Sequence, residues 1–523
     1  MTSEYDIAVI GSGFAGSLMA MIASRLGRSV VLLEKGKHPR FAIGESSTPL
    51  SNLLLEGISG RYDLPLLKPL SKWGSWQRAY PQIACGLKRG FSFFHHELDS
   101  PSHLPDNNRH LFVAASPNDF IADTHWYRAE FDELLVQQAQ SVGVDYFDEV
   151  DIRATASVNS VWHLDTVHAT QERTFQARFL IDATGPRGFL HKTLGLSETA
   201  LPNFPRTSAL YSHFSGVSEL AAAEFSHATE APYPVEAAAV HHLFDGGWIW
   251  VLRFNNGMTS AGVAATEEVA EHFSFDQKEH AWNALLDSLP LIKDQFAGAR
   301  LERPFTFARQ LPFRSPTLAG SNWALLPSAA GFVDPLLSTG FPLTLLGITR
   351  LGNILEQHWS SPQLAPSLQE YARQTDAELL ATARLVGALY SNMGDFPTFR
   401  SLSLLYFATA SYSEVASRLN KPELATSFLL HDHSIFGPES RRLLELARTP
   451  LSPKEKAGLT DDIYTLIRDF DVSGLGKRPA NHCYPIDPAD LFAAAQPLGT
   501  NAKEIEALLQ RTGFYSAAHH QHL

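Results

Sequence analysis

A short run of apolar residues, Asp6-Ile7-Ala8-Val9-Ile10, passes directly into Gly11-Ser12-Gly13-Phe14-Ala15-Gly16, and a helix of small residues opens at Ser17. Three glycines at this spacing have separate physical tasks. Gly11 permits the tight turn, Gly13 lets a pyrophosphate approach the backbone, and Gly16 lets the helix lie against the strand. The helix N-terminus then offers unpaired N–H groups and a partial positive charge to the phosphates. A second strand, Ser29 to Leu33, ends at Glu34, placed to accept hydrogen bonds from ribose hydroxyls. A glycine-rich turn alone is an ordinary loop. Strand, glycines, helix, strand and acid in this order predict a Rossmann-type nucleotide site, with Ser12, Phe14, Ala15 and Lys35 around it.

Later segments argue for FAD over NAD. Arg178 to Gly185 (Arg-Phe-Leu-Ile-Asp-Ala-Thr-Gly) resembles the strand end of glutathione-reductase-like flavoproteins, and assigns Asp182 and Gly185 to the cofactor. Ala329 to Asp334, after the strand Trp323 to Pro327, resembles their second FAD fingerprint, whose Asp contacts the ribityl chain. Arg128, followed by Phe131-Asp132 and Leu134-Leu135, resembles the helix with which flavin monooxygenases hold FAD. An Arg on an amphipathic helix is also commonly just solvated. Together these pieces disperse the FAD site from Gly11 to Asp334.

The expected fold is therefore α/β, of the glutathione-reductase and p-hydroxybenzoate-hydroxylase type, with an interleaved antiparallel substrate sheet and a C-terminal helical region. The FAD-binding domain is assigned to roughly 1–80, 105–190 and 300–358, the substrate-side sheet to roughly 81–104 and 191–299, and the helical domain to roughly 359–523. Phe91 to His95, Ser208 to Phe214, Ala238 to Phe244, Gly247 to Phe254 and Ser260 to Ala264 read as strands of the second sheet. Leu343 to His358, Pro366 to Tyr390, Leu402 to Arg418 and Pro438 to Ala447 read as helices. At 523 residues, with 44% hydrophobic content, the chain exceeds one simple core. A net charge of −13 argues against nucleic acid, which needs a cationic face. No apolar run is long enough to span a bilayer and no secretory pattern opens the chain, so a cytoplasmic enzyme with no membrane partner is expected. Cys85 and Cys483 are too few for a disulfide scaffold or a cysteine-rich metal site, though they are able to pair. His519-His520-Gln521-His522 reads as a polar tail, and no metal is expected.

At this point the chain resembles the flavin-dependent halogenases, in motif those of bacteria that act on free phenolic substrates. The resemblance covers most of the first 350 residues and fades through the helical tail. Its carriers, beyond the first glycines, are five segments. They are His38-Pro39-Arg40-Phe41, Gly44-Glu45-Ser46-Ser47-Thr48-Pro49, Ala84-Cys85-Gly86-Leu87-Lys88-Arg89-Gly90-Phe91, Gly247-Trp248-Ile249-Trp250-Val251, and Phe332-Val333-Asp334-Pro335-Leu336-Leu337-Ser338-Thr339-Gly340. The resemblance implies that FADH2, supplied by a separate NAD(P)H-dependent flavin reductase, reacts with O2 and chloride or bromide to give hypohalous acid. A lysine then delivers the halogen to an activated ring. Lys88 matches that lysine in its setting. An amine suits the role because it is a nucleophile when neutral and a donor when charged, and burial lowers its pKa. The bland alternative is a surface lysine at a strand start; Lys68 and Lys72 are nearby competitors whose surroundings match less well. The resemblance also places Arg40, Glu45, Ser46 and Ser47 on the flavin side, and Ser338, Thr339 and Gly340 at the halide, where the same residues could equally cap the following helix.

Two departures bear on substrate. Tryptophan-type halogenases carry a glutamate just before Ser-Thr-Gly, and here that position is Leu337. A phenol needs less help than an indole, since its own hydroxyl can lose a proton, so a phenolic small molecule is expected, free or carrier-bound. Phe93, Trp248, Trp250 and Leu337 are assigned to the channel. The family's Trp-x-Trp-x-Ile-Pro reads Trp248-Ile249-Trp250-Val251-Leu252-Arg253, and Arg253 would add a cation near the channel that attracts halide or marks a changed reaction. Two Trp at period two also serve ordinary sheet packing. His95 and His96 are candidates for a general base by proximity only. The rival readings are a flavin monooxygenase or related FAD oxidoreductase without halide, and a non-enzymatic flavin-binding module.

Overall fold

The computed structural model describes residues 2–100, 109–168, 170–220, 231–478 and 481–515. Its first strand, Thr2–Ile10, is partly exposed at its start and buried from Ile7 onward. There it lies parallel to Val30–Leu33 on one side and to Gln171–Asp182 on the other. Parallel strands covered on both faces need continuous apolar runs, and Ile7 to Ile10 and Val30 to Leu33 supply them. Asp145–Phe147 extends this sheet beyond Val30–Leu33. The long strand Gln171–Asp182 serves two partners in turn. Its first half is antiparallel to Val161–His168, and its last residues run parallel to Trp323–Leu325. A segment from the second half of the chain thus completes the sheet that the N-terminus begins.

Among the described residues the second sheet has nine strands. Its path runs Arg300–Leu301, Thr207–Ser215, Met258–Thr266, Gly247–Arg253, Ala239–Phe244, Gly90–His95, His110–Ala114 and Cys483–Tyr484, with Thr306–Ala308 also on Thr207–Ser215. All five expected strands fall in it. So does His110–Ala114, which lies inside the range assigned to FAD binding, and so does Cys483–Tyr484 from the helical range. Neither short strand carries a pattern that says which sheet it joins. Register explains one glycine: Gly262 faces Trp250, and a Cβ there would stand 2.5 Å from the indole.

A separate two-stranded ladder pairs Cys85–Lys88 with Asp123–Trp126, and Ser46 bridges to His125 at its side. The loop after the second strand, the lysine strand and the strand before Arg128 are thereby brought together.

The tail is helical: Gly340–His358, Leu364–Tyr390, Phe396–Arg418, Phe436–Leu446, Pro453–Ile467, Pro488–Ala493 and Ala502–Thr512. Pro366 and Pro397 sit in first turns, where a missing N–H is harmless, so both helices begin before their expected starts. The last three were not anticipated, although Ser452 and Glu455 form a capping box and Asn501 caps its helix with its side chain. These helices share one core with the second sheet, joining Phe91, Phe93 and Trp248 to Phe399, Tyr406 and Phe407. Cys85 and Cys483 are buried thiols with no disulfide between them. No helix among the described residues is long and apolar enough to cross a membrane. The histidines at 519–522 lie outside the described residues.

Candidate active site

The glycine turn has the shape its sequence demands. Gly11 has φ +96°, and a Cβ on Gly16 would fall 1.9 Å from the Gly11 carbonyl oxygen. Gly13 is different: a Cβ there meets nothing closer than 3.5 Å, and what it faces is Arg128, Asp132 and Arg40. Two guanidinium groups beside an open glycine and a helix N-terminus fit a pyrophosphate. Glu34 closes the turn, accepting from Ser12 N–H and Oγ at 2.9 Å and from Gly36 N–H at 2.8 Å, with Arg40 at 3.1 Å. Burial raises its pKa, but Arg40 and these N–H groups outweigh it and hold the carboxylate below its ordinary range. Beside it, His38 Nδ1 and Arg40 Nε are buried without partners, donors and acceptors suited to an adenosine and its phosphates. Lys35 is exposed. Asp182 shapes its own turn, accepting from Thr184 N–H, Thr184 Oγ1 and Leu190 N–H. Gly185 takes φ +84° in that turn.

From here a cavity of about 130 Å³ runs past Phe14, Gly44, Arg128, Ser328, Asp334, Thr339 and Gly340. Arg128 is buried and bidentate to Asp132, at 2.7 Å for each bond, and its remaining nitrogen donates to the carbonyls of Ile43 and Gly44. It therefore fixes the loop that carries Glu45, Ser46 and Ser47. Glu45 itself pairs with His213 at 2.7 Å. Asp334 is wholly buried. Its oxygens accept from Trp248 Nε1 at 3.2 Å, Leu336 N–H at 3.0 Å and Tyr390 Oη at 2.8 Å. Burial pushes it up to about 7 against those bonds. Downstream, Leu337 and Ser338 both adopt left-handed backbone, φ +63° and +56°. Non-glycine residues hold that conformation only where the surroundings impose it. The cavity, the two arginines and the open glycines make a site that FAD fits.

Lys88 lines neither this cavity nor a second one, but it contacts Ser338, the neighbour of Thr339 in the first, and Phe91 of the second. Its Nζ donates to Ser46 Oγ at 2.9 Å and the Ser47 carbonyl at 2.6 Å, and reaches Ser338 Oγ at 3.5 Å. It also stands 3.9 Å above the Phe91 ring. The residue is completely buried, which pulls its pKa down to about 7, while Asp123 opposes the shift. Phe91 and Asp123 line the second cavity, about 180 Å³, with Thr48, Asn52, Tyr406, Phe407 and the ends of the tail helices. Asp123 pairs in register with Lys88 across the two-stranded ladder, and burial pushes its carboxyl up to about 7.

Asn52, Asp123, Tyr406 and Phe407 escaped the sequence reading. Asp123 is followed by a Thr-His-Trp strand and the Arg128 helix, a context that marks it only once pairing with Lys88 is known. Among the channel residues, Trp248 donates to Asp334, but Phe93 stacks among Phe91, His241 and Phe399 inside the core and Trp250 donates to Ser260 Oγ. None of Phe93, Trp248, Trp250 and Leu337 lines either cavity. Arg253 is not a channel cation. Its guanidinium donates to the carbonyls of Val217 and Ser218 and to Glu236. Lys68 is exposed, whereas Lys72 lines the second cavity beside Glu56. His95 stacks on Phe396 and His96 bonds His242, away from both cavities.

Residues 119–397 match the family model described as tryptophan halogenase. The monodechloroaminopyrrolnitrin halogenase of Pseudomonas fluorescens is 28% identical over 406 residues, 76% of this chain and 69% of that protein. The tetracycline 7-halogenase of Kitasatospora aureofaciens is 28% identical over 422 residues, 78% of this chain and 73% of that protein. Among solved structures, a point mutant of the halogenase PltM in complex with FAD matches with a TM-score of 0.80 at 25% identity, covering 92% of this chain and 99% of that one. PltM in complex with phloroglucinol and FAD matches with a TM-score of 0.79 at 24% identity, covering 90% and 98%.

Proposed function

Because this chain belongs to the tryptophan halogenase family and is a flavin-dependent halogenase, we propose that its substrate is an electron-rich phenolic small molecule and that Lys88 delivers the halogen. Bound as FADH2, the cofactor supplies the electrons with which O2 and chloride or bromide yield hypohalous acid. Gly13, Arg40 and Arg128 would hold its pyrophosphate, and the loop through Ser338, Thr339 and Gly340 would hold halide at the flavin end. A separate NAD(P)H-dependent flavin reductase provides the reduced cofactor.

The observation that carries the reading is the position of Lys88. Its ammonium bonds the flavin-side loop at Ser338 and rests on Phe91 of the second cavity. Wholly buried, it thus touches the loop at the flavin end on one side and a wall of the second cavity on the other. Near neutrality a lysine so buried offers both forms, an ammonium that hydrogen-bonds hypohalous acid and an amine that accepts halogen. The phenol is supported by Leu337 where a glutamate would serve an indole, and by the phloroglucinol that PltM binds. Family membership sets aside the halide-free monooxygenase and the non-enzymatic module.

The test is mass spectrometry of an aerobic reaction with FAD, a flavin reductase, NADH, bromide and a panel of phenols. A brominated product that survives a hypohalous-acid scavenger, and that disappears in Lys88→Ala while O2 uptake continues, is expected. Hydroxylated product without halogen, or undiminished bromination by Lys88→Ala, would sink the reading.

A further inference from the structure

The chamber beside Lys88 contains a carboxyl with one oxygen left unpaired. Asp123 is 4% exposed and its Oδ1 accepts from Asn52 Nδ2 at 2.6 Å, but its Oδ2 is buried without any partner. Asn52 Oδ1 is likewise buried and unpartnered. Both residues line the same cavity as Phe91, Tyr406 and Phe407. Leaving two buried acceptors unpaired costs free energy that an apolar pair would avoid. A flat ring seated among those aromatic side chains would satisfy the acceptors if it carried hydroxyl hydrogens. An unsubstituted hydrocarbon edge would not.

We propose that Asp123 is the base that takes the phenolic proton of the substrate during halogenation, with Asn52 fixing its carboxylate and accepting from a second hydroxyl of a resorcinol-type ring. This rests on the phenol reading above. The phenol O–H proton moves to Asp123 as a ring carbon attacks the halogen of hypohalous acid. The carbon–halogen bond forms, and the halogen–oxygen bond breaks. Its electron pair leaves on oxygen, which takes a proton from Lys88 and departs as water. The ring carbon then loses its hydrogen to Lys88, and Asp123 returns its proton to the phenol oxygen. The ring is oxidised, the halogen is reduced, and both side chains end as they began.

The charged groups around Asp123 suit this task. Burial raises its pKa toward neutrality. Glu414 adds to the rise, while Lys88, Lys72 and the Asn52 amide oppose it. A base poised near the working pH is the most effective one. Its distance in sequence from Lys88 is irrelevant, because cross-strand pairing sets the two side chains on neighbouring positions.

The experiment compares resorcinol with 1,3-dimethoxybenzene, which has no hydroxyl proton, in holoenzyme supplied with reductase, NADH and bromide. Hypobromite output without arene is measured in parallel. For Asp123→Asn, resorcinol bromination relative to hypobromite output is expected to fall about 100-fold or more. In the wild type the rate with resorcinol should rise with pH through a limb near 7 that dimethoxybenzene does not show. If Asp123→Asn brominates resorcinol with wild-type rate and pH profile, the proposal alone is overturned. If the wild type makes hypobromite yet brominates no phenol, the phenol reading falls and takes this proposal with it. Should the variant fail to retain flavin, the wild-type pair of arenes decides: the same limb with both overturns the assignment.

Discussion

Lys88 Nζ and Ser338 Oγ come within 3.5 Å although 250 positions separate them in the chain. This contact joins the lysine strand to the loop at the flavin end, and it explains why charge alone does not define the residue. Three acceptors converge on one point: Ser46 Oγ, the Ser47 carbonyl and Ser338 Oγ. An ammonium fits such a point, whereas a guanidinium presents a wide planar fork. Lys88→Arg is therefore expected to abolish halogenation with the positive charge retained, and to lower stability by about 1–3 kcal/mol through overpacking. Product analysis and a thermal melt check both halves, and a Lys88→Arg enzyme with normal turnover would refute the geometry.

The first and third glycines of the turn answer to the protein, the middle one to the ligand. A Cβ on Gly16 collides with backbone at 1.9 Å, so Gly16→Ala should damage the fold itself and lower the melting temperature without any cofactor present. At Gly13 the nearest atom is the end of Arg128 at 3.5 Å. Gly13→Val should leave the apo protein's melt nearly unchanged and eliminate flavin retention after desalting. Normal flavin content in Gly13→Val would remove the pyrophosphate from this turn.

Arg253 belongs to the stability of the second sheet. Its two terminal nitrogens donate to Val217, Ser218 and Glu236 while its Nε stays buried without a partner, and Glu236 also accepts from Gln295. Arg253→Ala leaves a largely buried carboxylate short of its cation and should cost about 1–3 kcal/mol. The dependence of turnover on bromide concentration should not move. A large rise in the bromide requirement would place the guanidinium back in the channel.

Much of the FAD end was legible because its residues act locally. Gly11, Gly13, Gly16 and Glu34 lie within one strand-turn-helix-strand unit, and their spacing alone states the task of each. Lys88 was legible by its motif. Its partners were not, since Asp123 meets it only through a ladder between Cys85–Lys88 and Asp123–Trp126, and Ser338 through the return of the chain after Trp323–Leu325. Arg253 shows the converse. It follows two channel-motif tryptophans in sequence, but it ends its strand beside the segment 217–218, whose carbonyls capture it. The chamber's tail wall was hidden for a further reason: Tyr406 and Phe407 are apolar positions of a helix, and nothing in helical periodicity separates a core face from a cavity lining.

Tyr390 ties the tail to the flavin-side loop. Its hydroxyl donates to Asp334 Oδ2 at 2.8 Å, and no other donor reaches that oxygen among the described residues. Tyr390→Phe leaves the oxygen buried and unpaired, which should cost about 1–3 kcal/mol. Losing the donor also favours the protonated carboxyl and frees the loop that leads to Ser338. Weaker FAD retention and a lower melting temperature are expected together, measured by flavin release on dilution and by thermal scans. A variant that loses neither would show Asp334 to be held by Trp248 and Leu336 alone.

Stability against pH should expose the same buried carboxyl that the chemistry uses. An unfolded Asp titrates near 4, and burial holds Asp123 up to about 7 in the fold. Between those values the native protein keeps a proton that the unfolded chain has lost, so this residue makes stability fall as pH rises. Above the folded value the full penalty of a buried charge applies. Lys88 has the opposite sign: its pKa is pulled down, so over the range above about 7 the unfolded chain binds the extra proton and stability rises. Asp123→Asn removes the first contribution and, with it, the carboxylate that supports the Lys88 ammonium, so the Lys88 pKa falls further. Wild type and variant should melt alike only at about pH 4 and below, where Asp is protonated in the folded and unfolded chains alike, and the variant should melt higher at about pH 8. A variant that is less stable at both would show the ionised carboxylate to be paired and supported in the fold. The expected pattern, greater stability with lost turnover, is what a charge kept for chemistry produces when it is removed.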